Sequence, residues 1–355
     1  MPEYSALSAE LIDLLKQLIR TPSISREEGQ TADILQHFIE SKGFVAERIK
    51  NNVVARSRDF SPTRPTVLLN SHHDTVKPSS AWTVDPFGAV ETDGRITGLG
   101  SNDAGAPLVS LLGAFLVLEA QENRTYNIIY AASAEEEVSG TEGAELLLRS
   151  IGKIDFGIVG EPTKMEMAIA EKGLMVLDCK AIGKAGHAAR EEGINAIYLA
   201  MKDIEWFRTY QFPKVSEILG PMKMTVSVIN AGKQHNVVPD TCDFAVDVRL
   251  NGKYTNSEAL EHIRERVSCQ VSARSLRLNS SQIDIQHPAV QRGIALGIAY
   301  YGSPTMSDQV FMEFPTIKMG PGDSARSHTA DEYILRSEIE AAIPQYVALL
   351  TGLQI

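Results

Sequence analysis

Five short stretches of this chain carry residues that bind metals or move protons, and most of them directly follow an apolar run. The first is Ser71-His72-His73-Asp74-Thr75-Val76, after Thr66-Val67-Leu68-Leu69-Asn70. His72 and Asp74 are two apart, so in extended backbone they share a face. That spacing suits a histidine ligand whose second ring nitrogen donates to a carboxylate, which fixes the tautomer and raises basicity. It equally suits two histidines in a polar loop. The second stretch, Gly98-Leu99-Gly100-Ser101-Asn102-Asp103-Ala104-Gly105, places Asp103 ahead of an apolar helix, as a ligand or as an N-terminal cap. It is not a phosphate loop, because neither Gly-x-x-x-x-Gly-Lys-Ser/Thr nor Gly-x-Gly-x-x-Gly is satisfied.

The third stretch is Ala134-Glu135-Glu136-Glu137-Val138-Ser139-Gly140. Three adjacent carboxylates repel one another unless a cation neutralises them. Neighbouring side chains point in different directions, so one can bind metal while the next faces a water. A solvated acidic loop is the plain alternative. The fourth is Gly160-Glu161-Pro162-Thr163, and the fifth runs Gly320-Pro321-Gly322-Asp323-Ser324-Ala325-Arg326-Ser327-His328. Together, two histidines and three carboxylates from five loops can build a dinuclear site. Histidine and carboxylate without thiolate suit Zn²⁺, with Co²⁺ or Mn²⁺ as substitutes. Two metals ~3.5–4 Å apart need a bridging carboxylate and leave room for a bridging water.

Such residues need a scaffold that brings loop ends together. Leu11, Leu14, Leu15 and Leu18 repeat at helical spacing, and so do Ile34, Leu35, Phe38 and Ile39 up to the stop at Lys42-Gly43. Short β-like runs follow at 44–49, 53–56 and 66–70. A small apolar helix is expected over 105–118, a buried strand over 127–132, a helix over 143–150 and a strand over 156–159. Alternating strands and helices give an α/β layer structure with a largely parallel sheet. Its ligands bind beyond the carboxyl ends of the strands.

The texture changes after Glu171-Lys172-Gly173. Strand 174–182, helix 195–207, strands 222–230 and 241–250, helix 257–267 and strand 271–278 follow the split βαβ, ferredoxin-like order. Residues 173–283 therefore read as a second domain inserted between 1–172 and 284–355. Helical patterns at 288–299 and 337–350 return to the first domain.

The chain has 355 residues and a formal charge of −11, which disfavours a broad basic surface for nucleic acid or anionic lipid. Cys179, Cys242 and Cys269 are odd in number and form no Cys-x-x-Cys, so neither a disulfide framework nor a thiolate zinc site is signalled. The N-terminal residues lack a basic region followed by an apolar stretch, and no run of about 18 apolar residues is evident. By elimination the expected location is the cytoplasm, with no membrane partner.

As an ordered set, these motifs resemble those of the dinuclear zinc hydrolases that include acetylornithine deacetylase, succinyl-diaminopimelate desuccinylase, aminoacylase and glutamate carboxypeptidase. The resemblance covers nearly the whole chain. It rests on His72-x-Asp74, Trp82 to Phe87, Gly98-x-Gly100-x-x-Asp103, Glu136-Glu137, Gly160-Glu161-Pro162-Thr163 and His328. It implies a zinc-exopeptidase-like three-layer catalytic domain with an inserted α+β lid and dimerisation domain. It implies two Zn²⁺ per subunit, with Asp103 bridging, His72 and Glu161 completing one metal, and Glu137 and His328 the other. Glu136 becomes the general base and Asp74 the residue that orients His72. The peptide after Asp103 is expected to be cis.

The inserted segment is similar to the family's lid. Gly183-Lys184-Ala185-Gly186-His187-Ala188 matches a segment whose histidine reaches across a dimer interface to the developing oxyanion. The resemblance thus assigns that role to His187 and implies a homodimer. Asn236-Val237-Val238-Pro239-Asp240 and Asp247-Val248-Arg249 match lid motifs as well. Asn236 and Arg249 are candidates to hold a substrate carboxylate, with Arg249 as a structural ion-pair residue the alternative. Two positions depart from the family. Leu99 stands where an arginine is frequent between the glycines, and Gly105-Ala106 where Lys-Gly often follows the bridging aspartate.

The implied reaction is hydrolysis of an N-acyl-L-amino acid, first of all N-acetyl- or N-succinyl-L-ornithine in arginine biosynthesis. Succinyl-diaminopimelate and dipeptides are the alternatives. A distal succinyl carboxylate would need a cation, for which Arg249, Arg326 and Lys172 are available. A serine hydrolase of the Gly-x-Ser-x-Gly type is excluded by the absence of that motif, and a di-iron bundle by the lack of paired Glu-x-x-His helices.

Overall fold

The structure is a computed structural model that describes residues 4–122 and 124–355. The chain forms two compact units. One comprises residues 1–169, 283–301 and 307–355, and the other residues 170–282 with 302–306.

The first unit is α/β around a mixed sheet. Its four central strands are parallel and run in the order Asn127–Ser133, Thr66–His72, Phe156–Val159, Thr316–Lys318. Asn52–Arg56 and Ala46–Ile49 extend it antiparallel on one side, and Met167–Glu171 joins antiparallel on the other. Every residue of Thr66–His72 and of Asn127–Ser133 is buried. A strand covered on both faces reads as a near-continuous apolar run, which is why these two were visible in the sequence.

Alternate residues separate the two faces. Leu68, Ile129 and Ala131 pack with Leu147 and Ile151 of the Ala144–Ile151 helix. Tyr130 points the opposite way, and its hydroxyl donates to the Leu108 carbonyl of the Ala106–Glu119 helix. That helix packs against Ser5–Arg20 and Arg336–Leu350. Three layers result, helix–sheet–helix. Each fully buried Leu or Ile contributes roughly 1.5–3 kcal/mol through the hydrophobic effect.

One stretch among the described residues, Ser101–Glu119, is long and apolar enough on average to cross a membrane, although Ser101, Asn102, Asp103, Ser110 and Glu119 interrupt it; 78% of its window is buried inside the fold. Burial on all sides is what makes a core helix apolar all round. A further three-stranded sheet joins Val90–Thr92, Arg95–Thr97 and Tyr333–Leu335, none of it anticipated. Strands of three residues are too short to show periodicity. The helix expected over 288–299 is Pro288–Ala295, because Gly297, at φ +78°, closes it.

The second unit holds a four-stranded antiparallel sheet in the order Lys223–Ala231, Thr241–Arg249, Leu174–Ile182, Gln270–Ala273. With helices Ala196–Thr209 and Asn256–Arg264 this is the ferredoxin-like arrangement. Cys179, Phe207, Phe244, Val246 and Ile263 share its core. Asn195 caps the first helix and Thr255 with Glu258 forms a capping box on the second. The last strand is shorter than the expected 271–278 and ends at Ala273.

Candidate active site

The central strands position the site. Thr66–His72 and Asn127–Ser133 are parallel with His72 opposite Ser133, and Asn70 lies opposite Val159 of the next strand. The three loops that follow, His72 to Asp74, Ala134 to Glu137 and Gly160-Glu161, therefore leave the sheet at one edge. Asp103 arrives from the turn before the Ala106–Glu119 helix, and His328 from the loop after Thr316–Lys318.

Their side chains converge. His72 Nε2 lies 3.2 Å from Asp103 Oδ1 and 3.7 Å from Glu161 Oε1. His328 Nε2 lies 3.7 Å from Asp103 Oδ2 and 3.0 Å from Glu137 Oε2. Donor atoms of His72, Asp103 and Glu137 all fall within 4.8 Å of one another. His72 is buried and His328 is half-exposed. The Asp103–Ala104 peptide is cis. Asp103 does not cap the helix behind it, which begins at Ala106 with no side-chain cap.

Asp74 is wholly buried. His72 Nδ1 sits 3.0 Å from the Asp74 carbonyl oxygen and 3.5 Å from its carboxylate Oδ1. The carboxylate accepts from the backbone N–H of Glu136 at 3.0 Å and of Glu137 at 3.2 Å, and from Ser25 Oγ at 2.6 Å. It thus holds the acidic loop as well as flanking the histidine. His73 turns away, with Nδ1 2.9 Å from Thr31 Oγ1 and Nε2 3.0 Å from the Asn51 carbonyl.

The electrostatics follow from packing so many carboxylates together. Burial opposes a charge on His72, but the carboxylates of Asp103 and Asp74 overcome it and hold the ring well above the usual histidine range. Glu137 raises His328 to about 9. Burial drives Glu136 well above the usual carboxylate range, and Glu161, Asp308 and Glu137 add to the effect.

Several contributors carried no sequence signal. Glu332 is buried, its carboxyl raised to about 8 by burial and by Asp103. Its Oε1 accepts the N–H groups of Asn102 and Asp103 at 2.8 and 2.9 Å. Asp308 accepts from Ser133 Oγ at 2.5 Å and Asn70 Nδ2 at 3.0 Å, linking two of the central strands below the site. Ser25, Glu28 and Asn52 brace the acidic loop. Each is a common polar residue in an unremarkable context, and only the folded chain brings it to the site.

Two histidines and three carboxylates with no thiolate match the donor set of zinc and similar divalent metals. The converging carboxylates need cations for neutralisation. The residues therefore fit a metal centre.

In the second unit, His187 lies on the two-residue strand Gly186–His187, paired with Val237–Val238. Its Nδ1 accepts the Ala189 N–H at 3.1 Å, so in the neutral ring Nε2 carries the proton. Asn236 is exposed, and its carbonyl accepts the Ala188 N–H. Arg249 makes a two-pronged pair with Asp247, at 2.8 and 3.0 Å.

Comparison with known proteins decides the family, because the sequence profile of peptidase family M20/M25/M40 matches residues 68–352. The chain belongs to this family. It is therefore a metal-dependent hydrolase. An acetylornithine deacetylase of Proteus mirabilis (strain HI4320) is 26% identical, covering 93% of each chain. A succinyl-diaminopimelate desuccinylase 2 of Ruegeria sp. (strain TM1040) is 25% identical over 71% of this chain and 68% of its own. Among solved structures, a tripeptidase of Staphylococcus aureus superposes with a TM-score of 0.79 at 21% identity, covering 97% of each chain. That likeness shows a shared fold.

Proposed function

We propose that this M20 hydrolase cleaves the amide bond of an N-acyl-L-ornithine, with acetyl or succinyl as the acyl group, in arginine biosynthesis. The observation that carries the hydrolytic reading is the convergence of His72, Asp103, Glu137, Glu161 and His328 beside Glu136. The similarity to the Proteus mirabilis deacetylase supports the substrate. The desuccinylase relative supports a second reading, in which succinyl-diaminopimelate is the substrate.

In this reading Asp103, His72, Glu161, Glu137 and His328 would hold two Zn²⁺ ions, with His72 and Glu161 on one side of Asp103 and Glu137 and His328 on the other. When bound, the two cations supply Lewis-acid polarisation of the acyl carbonyl and make water more acidic. Glu136 takes the proton of the attacking water and delivers it to the leaving amine. Asp74 keeps Glu136 and Glu137 in place through their backbone N–H groups. His187 donates from Nε2 to the developing oxyanion, a role supported by the acceptor state of its Nδ1. Asn236 and Arg249 receive the substrate carboxylate, Arg249 exchanging Asp247 for it.

The proposal includes a homodimer formed through the lid. Lys223–Ala231 ends its sheet and exposes Val228 and Ile229, and the neighbouring helix exposes Tyr198 and Met201. A cytoplasmic location is part of the same reading, supported by three free thiols.

The test is kcat/KM for N-acetyl-L-ornithine against N-succinyl-L-ornithine with zinc-loaded protein. Turnover of either well above that of dipeptides is the expected result. A strong succinyl preference makes Arg249 the first residue to substitute. Failure on both overturns the ornithine reading and moves the search to diaminopimelate derivatives and dipeptides.

A further inference from the structure

Four consecutive backbone N–H groups at the start of the acidic loop donate to side chains. Ala134 N–H donates to Asn52 Oδ1 at 3.0 Å and Glu135 N–H to Glu28 Oε1 at 3.2 Å. Glu136 and Glu137 donate to the two oxygens of Asp74. A buried N–H needs an acceptor, but a neutral oxygen would satisfy it. Here two of the three acceptors are fully buried carboxylates, beside a triplet of glutamates. Burying a carboxylate among others is costly, so this choice calls for a reason beyond satisfying amides.

Glu28 is the less expected of the two. It occupies the cap position of the Gly29–Ser41 helix but makes no side-chain bond to that helix. Its carboxylate instead accepts from Glu135 N–H, Arg26 N–H and Asn51 Nδ2, all amide donors. Glu135 is the residue where the strand turns into the loop. It has φ +56°, a conformation that L-residues with side chains seldom adopt. Charged acceptors make hydrogen bonds about twice as strong as neutral ones, so Glu28 fixes this turn. The turn sets the direction in which Glu136 leaves the backbone.

We propose that Glu28 is a positioning residue for catalysis, holding the Glu135 turn so that Glu136 meets the attacking water. The proposal rests on the reading of Glu136 as the base. The test is steady-state kinetics with N-acetyl- and N-succinyl-L-ornithine, together with backbone hydrogen exchange, on zinc-loaded full-length Glu28→Ala, Glu28→Gln and Glu136→Gln. Glu28→Ala is expected to lower kcat per folded site by roughly 10–100-fold with KM changed less than about 3-fold, as a small misplacement of a reacting group does. Exchange of the 134–137 amides should quicken. Glu28→Gln keeps one acceptor oxygen but loses the charge and the second acceptor, so both readouts should fall between Glu28→Ala and wild type. Unchanged exchange at these amides, or a kcat loss that vanishes once activity is normalised to folded sites, overturns the proposal. Should Glu28→Ala not fold, Glu28→Gln and Asn51→Ala decide, and wild-type exchange in both overturns it. Exchange needs no substrate, so unchanged 134–137 amides overturn the proposal even if neither ornithine derivative is turned over. An active Glu136→Gln sinks the base reading itself. An inactive Glu136→Gln beside a fully active Glu28→Ala sinks only the positioning role.

Discussion

His72 and His328 approach the Asp103 carboxylate from two sides, one ring 3.2 Å from Oδ1 and the other 3.7 Å from Oδ2. They come from loops 256 positions apart (328 − 72) and share no element of secondary structure. A carboxylate addressed by one histidine on each oxygen is placed to serve two ions at once. Asp103→Ala should therefore lose metal from both positions. Activity should fall by more than about 100-fold, beyond the usual loss from a supporting residue. Elemental analysis of the purified variant checks this. A variant that keeps two metals per chain would end the bridging assignment.

Glu136→Gln is expected to bind metal like the parent and to lose at least ~100-fold in kcat, the scale of a lost general base. Metal content and kcat measured on one preparation separate the two effects. Retention of most activity would remove Glu136 from the mechanism.

Metal binding should also stabilise the fold, because it offsets repulsion among carboxylates that folding brings together. A ligand that binds only the native state, present at about 100 times its Kd, adds roughly 2.7 kcal/mol. Chelation should lower Tm and abolish activity, and Zn²⁺ should restore both. A Tm indifferent to chelator would contradict the assignment.

Glu91 offers a test of pH dependence away from the site. Arg336 approaches it at 2.7 and 2.9 Å and Lys16 at 2.6 Å. The two cations, Arg336 foremost, hold its carboxyl at about 2 against an ordinary 4.5. A depressed folded-state value means the stabilisation is fully present above pH 4.5 and fades as pH falls towards 2. Glu91→Gln should cost on the order of 1 kcal/mol at pH 7, the upper range for partly exposed pairs. Urea unfolding at pH 7 and again near the acid limit should show the two chains converging. A gap that widens in acid would reverse the sign and refute the account.

The proposed dimer interface on the second unit is open to a solution test. Val228→Asp with Tyr198→Asp places charge on the exposed strand and helix and should yield monomers by light scattering. The parent should be dimeric, and an unchanged mass for the double variant would locate the interface elsewhere.

Much of this was legible before folding was considered. Leu11, Leu14, Leu15 and Leu18 face the core as their spacing predicts. The ferredoxin-like order of the second unit was readable because each strand there is flanked by turn residues. The loops bearing His72, Asp103, Glu137, Glu161 and His328 stood out because chemically active residues follow apolar runs. Other features were not readable. Thr316–Lys318 has three residues, too few for a period of two to declare itself. Glu28 looks like part of a solvated run, Arg26-Glu27-Glu28. Its burial depends on a partner, Glu135, that lies 107 positions away. Glu332 is equally plain until the three-stranded sheet sets it against Asp103. Periodicity reports which face of an element is covered. It does not report which distant loop will cover it.

The strand Thr316–Lys318 joins the sheet parallel to Phe156–Val159, and the segment beyond it supplies both His328 and Glu332. The pairing of Glu332 with Asp103 spans 229 positions. During synthesis, then, an emerging chain can form its first two helices, its early strands and the whole ferredoxin-like insert while the chemistry is still absent. The set of side chains around Asp103 is complete only when residues 316–332 dock. Contacts of such separation fold slowly, since the chain must close a long loop before they reward it. Until then Asp103 and Glu137 lack the two partners, Glu332 and His328, that hold them in the folded chain.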